Sequence, residues 1–136
     1  MTEQEALAKM ISPGMVRSGK PAGGVIQIII TSVCNFSCYN CTQGSNLIRK
    51  PWFMSLEQFE QACLSLEGYF GTVGVFGGNP CTHKEFPAIC AILRKYFPKE
   101  KCGLWSNDPI TAENAQAART TFSESRSNLN VHLDKA

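Results

Sequence analysis

The chain has 136 residues, 43% of them hydrophobic and 18% charged, which suits one globular domain and excludes a disordered or fibrous protein. Thirteen Lys and Arg against eleven Asp and Glu leave a net charge of +2 with no basic run longer than two residues, so no nucleic-acid partner is expected. The longest apolar run, Val25 to Ile30, is interrupted by Gln27 and falls far short of the ~20 residues of a membrane helix; with no signal-peptide core near the start, a cytoplasmic protein without a membrane partner is expected.

Residues 2–10, TEQEALAKM, read as a short helix, and the Gly/Pro-rich stretch that follows reads as a linker, so residues 1–24 form a leader. VIQIIIT, Val25 to Thr31, is β-branched and almost continuously apolar, the pattern of a strand buried on both faces of a parallel sheet. From Ser55 the period changes. Leu56, Phe59, Cys63 and Leu66 make a helical stripe, Ser55 and Gln58 are spaced as a capping box, and Gly68 is the expected stop. GTVGVFGG, Gly71 to Gly78, reads as a second strand running into a glycine pair. Phe86, Ile89, Cys90, Leu93 and Phe97 mark a second helix, with Pro87 acceptable in its first turn. KCGLWSN, Lys101 to Asn107, reads as a third strand stopped by Asp108-Pro109; Thr111 to Phe122 is an alanine-rich third helix, and LNVHLD, Leu129 to Asp134, a fourth strand.

Strand and helix alternate throughout, the order of stacked βαβ units with a parallel sheet. A closed eight-unit barrel needs about 250 residues, or roughly 30 per unit, and the chain after Gly24 is shorter than four such units. The expected fold is therefore α/β: a truncated partial (β/α) barrel of about three and a half units.

The seven cysteines are an excess to be explained. An odd number in a chain with no export signal argues against a disulfide framework and for metal binding or reactivity. Cys63 and Cys90 lie on apolar helical faces and read as core residues, as do Cys81 and Cys102. Cys34, Cys38 and Cys41 differ: they form C-x3-C-x2-C in CNFSCYNC, on the loop leaving the C-terminal end of the first strand, the edge where α/β proteins bind ligands. Thiolates suit iron–sulfur clusters and zinc alike. A structural zinc takes four ligands, usually as two pairs, and no second pair is present. Three thiolates on a cubane cluster leave one iron open for chemistry.

These residues resemble the radical S-adenosylmethionine (radical SAM) enzymes. IIITSVCNFSC followed by YNC is similar to the family's first strand and cluster-binding signature, including the Thr31 and Asn35 neighbours, and FGGNPCTHKEFPAICAILRKYF, Phe76 to Phe97, resembles its second strand, Gly-Gly-Glu-Pro segment and following helix. LWSN and NVHLD resemble weaker cofactor-touching positions, so the likeness runs from Val25 to Ala136. The resemblance implies a 4Fe-4S cluster held by Cys34, Cys38 and Cys41, and S-adenosylmethionine bound by Tyr39, Gly77, Gly78, Asn79, Pro80, Ser106, Asn107 and His132. It further implies reductive cleavage of that cofactor to methionine and a 5′-deoxyadenosyl radical, an electron donor such as a flavodoxin or ferredoxin, and an unknown substrate. No side chain beyond the cluster is assigned to catalysis.

Three departures stand out. Asn40 occupies the aromatic position before the third cysteine, with Tyr39 one residue earlier; Asn79 replaces the glutamate of Gly-Gly-Glu-Pro; and the family's usual six units stop near the fourth strand. The domain over 25–136 is thus expected to be C-terminally incomplete, with helix faces around Phe86 and Leu93 poorly covered and the isolated chain self-associating or dependent on a partner or further segment. A non-catalytic iron–sulfur or zinc module, relaying electrons or binding a partner, is the alternative. His83 reads as a helix-start or surface residue, His132 as pocket residue or polar filler, and Trp52, Phe53 and Trp105 as core.

Overall fold

The computed structural model describes residues 24–38, 41, 43–69, 71–124 and 128–129. The expected leader helix, Tyr39, Asn40, His132 and most of the expected fourth strand lie outside these residues.

Strand β1, Val25–Thr31, leads through the cysteine loop and a 3-10 turn, Ser45–Leu47, to helix α1, Leu56–Ser65. Strand β2, Thr72–Gly77, is followed by helix α2, Phe86–Tyr96, then strand β3, Cys102–Ser106, helix α3, Ala112–Phe122, and the two-residue strand β4, Asn128–Leu129. The strands lie in the order β1-β2-β3-β4, all parallel. No described helix is long and apolar enough to cross a membrane.

The helix starts follow from local chemistry. Ser55 Oγ accepts from the Gln58 N–H and the Gln58 side chain accepts from the Ser55 N–H, the reciprocal capping box. Thr111 caps α3 by accepting from the Asn114 N–H, and Pro87 sits in the first turn of α2, where its missing N–H costs nothing. After α1 the chain reverses at Gly68, whose φ of 79° favours glycine.

One core holds the layers together. Ile28 and Ile30 of β1, Val73 and Val75 of β2, and Cys102 and Leu104 of β3 are buried with Phe59, Cys63, Phe86, Ile89, Cys90, Leu93 and Phe122 of the helices. Phe86 and Leu93 are fully buried, so the expectation that they would be poorly covered is wrong: α2 packs against both α1 and α3. Each such side chain contributes about 1.5–3 kcal/mol by burial. The other alternate positions of β1 face outward, with Val25 54% and Ile29 44% exposed. The expectation of burial on both faces therefore also fails, because the described helices supply a single layer and Val25 and Ile29 on the second face stay exposed. Trp105 lies over that face, close enough to Gly74 and Gly103 that a Cβ at either would strike its ring.

Trp52 and Phe53 are not core either, at 43% and 36% exposed. Their segment runs along the edge of β1: Thr31 bridges Phe53 in antiparallel sense, the Ser32 N–H donates to Trp52 O at 3.0 Å and the Met54 N–H to Ile30 O at 2.8 Å. Met54 turns toward the core while its neighbours point away. His83 is buried at the start of α2, not on the surface; its Nδ1 accepts from the Glu85 N–H, so Nε2 carries the proton and donates to Met54 O at 2.7 Å.

Candidate cofactor site

The cysteine loop leaves β1 at its C-terminal end, where the ends of β2 and β3 also meet. The Gly78 N–H donates to Thr31 O at 3.1 Å and the Asn79 N–H to Val33 O at 2.8 Å, while Thr82 Oγ1 donates to Val33 O at 3.2 Å. The glycine pair permits this approach: a Cβ at Gly78 would lie 2.3 Å from Val33 O and 3.0 Å from the Cys34 N, and one at Gly77, with φ 148°, 2.3 Å from Thr31 O. Bulkier residues would push the loop off the sheet.

Asn79, with 0% exposure, is the hub of the polar layer behind the loop. Its Nδ2 donates to Asn35 Oδ1 at 2.9 Å and to Asp108 O at 2.8 Å; its Oδ1 accepts from Ser106 Oγ at 2.8 Å and the Cys81 N–H at 3.1 Å. Both donors and both lone pairs of the amide are used inside the protein. Asn114 of α3 extends the layer by donating to Cys81 O at 2.9 Å. Ser106 also approaches the Cys81 Sγ at 3.4 Å and is itself buried. Neither Asn114 nor Asp108 was legible as a site residue, since the Asn114 side chain of α3 and the Asp108 carbonyl meet their partners, Cys81 and Asn79, only once the sheet is assembled.

The cysteines divide as their surroundings dictate. Cys34, Cys38 and Cys41 are half-buried, and Cys63, Cys81, Cys90 and Cys102 are buried. Burial pushes the Cys63 and Cys90 thiols up to about 12. It pushes Cys81 to about 11 against the pull of its Ser106 hydrogen bond, and Cys102 also upward. These four remain neutral thiols. Cys41 goes the other way: partial burial raises it, but the N–H groups of Ser45 and Gln43 outweigh that and lower it. Cys34 Sγ accepts from the Phe36 N–H at 3.4 Å and from Asn107 Nδ2 at 3.7 Å. Asn107 Oδ1 is buried with no partner among the described residues.

The three thiols share one loop without converging: among the described residues no three His, Cys, Asp or Glu side chains are gathered closely enough to hold a metal ion. The donor set suits an iron–sulfur or zinc centre, with three half-buried cysteines, N–H donors beside two of them, and a buried acceptor on Asn107 that has no partner among the described residues. Gly77 stands against the end of β1 and Gly78 against the start of the loop, Pro80 is fully buried, and the Asn79 and Ser106 side chains are turned inward. Tyr39 and His132 lie outside the described residues.

A family model described as the Radical SAM superfamily matches residues 28–132, well over half of the chain. No curated protein matches it.

Proposed function

The chain belongs to the radical SAM superfamily, whose members use a 4Fe-4S cluster and S-adenosylmethionine, and on that premise we propose that it binds both and cleaves the sulfonium reductively for radical chemistry on an unknown substrate. When bound, the cluster supplies one electron that splits a carbon–sulfur bond of S-adenosylmethionine into methionine and a 5′-deoxyadenosyl radical. Everything else is the work of the protein: holding, orienting and shielding.

Cys34, Cys38 and Cys41 would hold the cluster as thiolates, and the energy of that binding would draw the three together. The N–H groups of Ser45, Gln43 and Gly44 favour the thiolate state of Cys41, and the Phe36 N–H donates to Cys34 Sγ. The orphaned Asn107 Oδ1 suits an ammonium or hydroxyl of S-adenosylmethionine, and the Gly77-Gly78 backbone keeps the loop's first cysteine in register with it. The observation that carries this reading is the half-buried three-cysteine loop stapled to the glycine pair at the sheet's C-terminal edge.

A second reading, a non-catalytic iron–sulfur or zinc module, is favoured by Asn79. Its amide is fully committed to Asn35, Asp108, Ser106 and Cys81, so it has no hydrogen bond to spare for the methionine end of the cofactor. Anaerobic reconstitution tests the proposal. About four iron per chain are expected, lost in Cys34→Ala, Cys38→Ala and Cys41→Ala and kept in Cys63→Ala, and added S-adenosylmethionine should change the reduced cluster's paramagnetic resonance spectrum. One zinc and no iron would overturn the reading, and iron with an unchanged spectrum would favour the module.

A further inference from the structure

Reductive cleavage requires an electron from outside the chain, and the segment following the cysteine loop has the features of the surface that receives it. Leu47, Ile48, Trp52 and Phe53 are all exposed large hydrophobics, Leu47 at 79% and Trp52 at 43%. Between them lie Arg49 and Lys50, both exposed. Neither cation forms an ion pair with a described residue. Leu47 to Met54 carries these two cations and no acid.

The segment is held firmly. Trp52 is anchored on both sides of its peptide: its N–H donates to Ser32 Oγ at 2.9 Å, and its carbonyl accepts from Thr31 Oγ1 at 2.9 Å and the Ser32 N–H at 3.0 Å. Phe53 is braced edge-on against the His83 ring at 5.6 Å. Fixed aromatic side chains lose little entropy on association and are favoured in interface centres. The patch is also joined to the cysteines by two successive hydrogen-bonded turns: Gly44 N–H to Cys41 O at 3.2 Å, then Leu47 N–H to Gly44 O at 2.9 Å.

We infer that Leu47, Ile48, Trp52 and Phe53, with Arg49 and Lys50 among them, form the docking surface for an acidic one-electron donor protein. The inference rests on the proposed function for the need of an electron, but the surface is defined by its own side chains. The reduced donor gives up one electron, the centre on the cysteine loop gains it, and no atom is transferred. An acidic partner fits because both cations are exposed and unpaired among the described residues, and a small apolar surface carrying charge suits a weak, fast-exchanging redox encounter.

Binding of a reduced or oxidised flavodoxin to the full chain, measured by biolayer interferometry, tests this without any turnover. At about 50 mM salt the double variant Arg49→Glu/Lys50→Glu should bind about tenfold or more weakly than wild type, with the difference shrinking as salt screens the charges. Trp52→Ser should weaken binding at every salt concentration, and Lys99→Glu, at the opposite end of the sheet, should not. All four side chains are on the surface, and matching thermal melts will establish that the variants fold. Unchanged affinity in the charge-reversed variant, or no complex with any donor, overturns the inference, as does binding confined to phosphatidylserine vesicles or to a second copy of the chain. S-adenosylmethionine cleavage driven by dithionite is followed in the same samples; its failure would remove the proposed function and leave the binding result standing on its own.

Discussion

Asn79→Ala probes the polar layer behind the cysteine loop. Four hydrogen bonds end on this side chain, which is 0% exposed. Removing it strands the Cys81 N–H, which has no other partner among the described residues, whereas the Ser106 hydroxyl and the Asp108 carbonyl keep their mutual 3.3 Å contact. A stranded buried donor costs about 1–3 kcal/mol, and the lost amide volume adds to this, so the total is about 3 kcal/mol. For a domain of this size that lowers the melting temperature by ~10 °C. Ser106→Ala removes one donor and leaves Asn79 Oδ1 with the Cys81 N–H, so it should cost about 1 kcal/mol. Thermal and urea unfolding of the apoprotein measure both. If Asn79→Ala melts within about 2 °C of wild type, the hub carries none of the weight assigned to it here.

Gly78→Ala would drive a Cβ to 2.3 Å from Val33 O, costing about 1–3 kcal/mol and reducing iron uptake, read by melting and by metal analysis. At pH 8 a thiol reagent should label Cys34, Cys38 and Cys41 rapidly and reach the four buried cysteines only on unfolding; equal rates at all seven would contradict the burial. Cys63 and Cys90 ionise near pH 12 when folded against an ordinary 9.0. The unfolded chain thus loses these protons first, and stability, intact below pH 9, should fall as pH rises from there toward 12, by about 1 kcal/mol per thiol at pH 10; a urea midpoint that does not drop over that range would refute it. The uncovered sheet face around Val25 and Ile29 should make the apoprotein associate with rising concentration, visible by light scattering; a monodisperse monomer would show that this face tolerates water.

Where chemistry is local, the sequence was readable. The β-branched run of β1 and the Ser55/Gln58 box each settle within a few residues of themselves, and α2 shows its buried face directly in Phe86, Ile89, Cys90 and Leu93. Sidedness was not local. Ile29 is as apolar as Ile28 and Ile30, so nothing in the run says that one face lies open while the other is packed. Trp52 and Phe53 suggested a core because large aromatics usually bury, yet pairing along the β1 edge turns them outward. At the site, the three cysteines and the glycine pair were visible from spacing. The direction of Asn79 was hidden, because it depends on Asn35, Ser106 and Asp108, residues brought to it only by the sheet.

The central claim is that this loop supports reductive cleavage of S-adenosylmethionine. The most direct measurement is chromatography of the small molecules released when the anaerobically reconstituted, dithionite-reduced chain is mixed with S-adenosylmethionine. Methionine and 5′-deoxyadenosine in equal amounts, absent from Cys34→Ala, Cys38→Ala and Cys41→Ala, are the expected result. Intact S-adenosylmethionine beside a fully loaded and reduced cluster would contradict the claim.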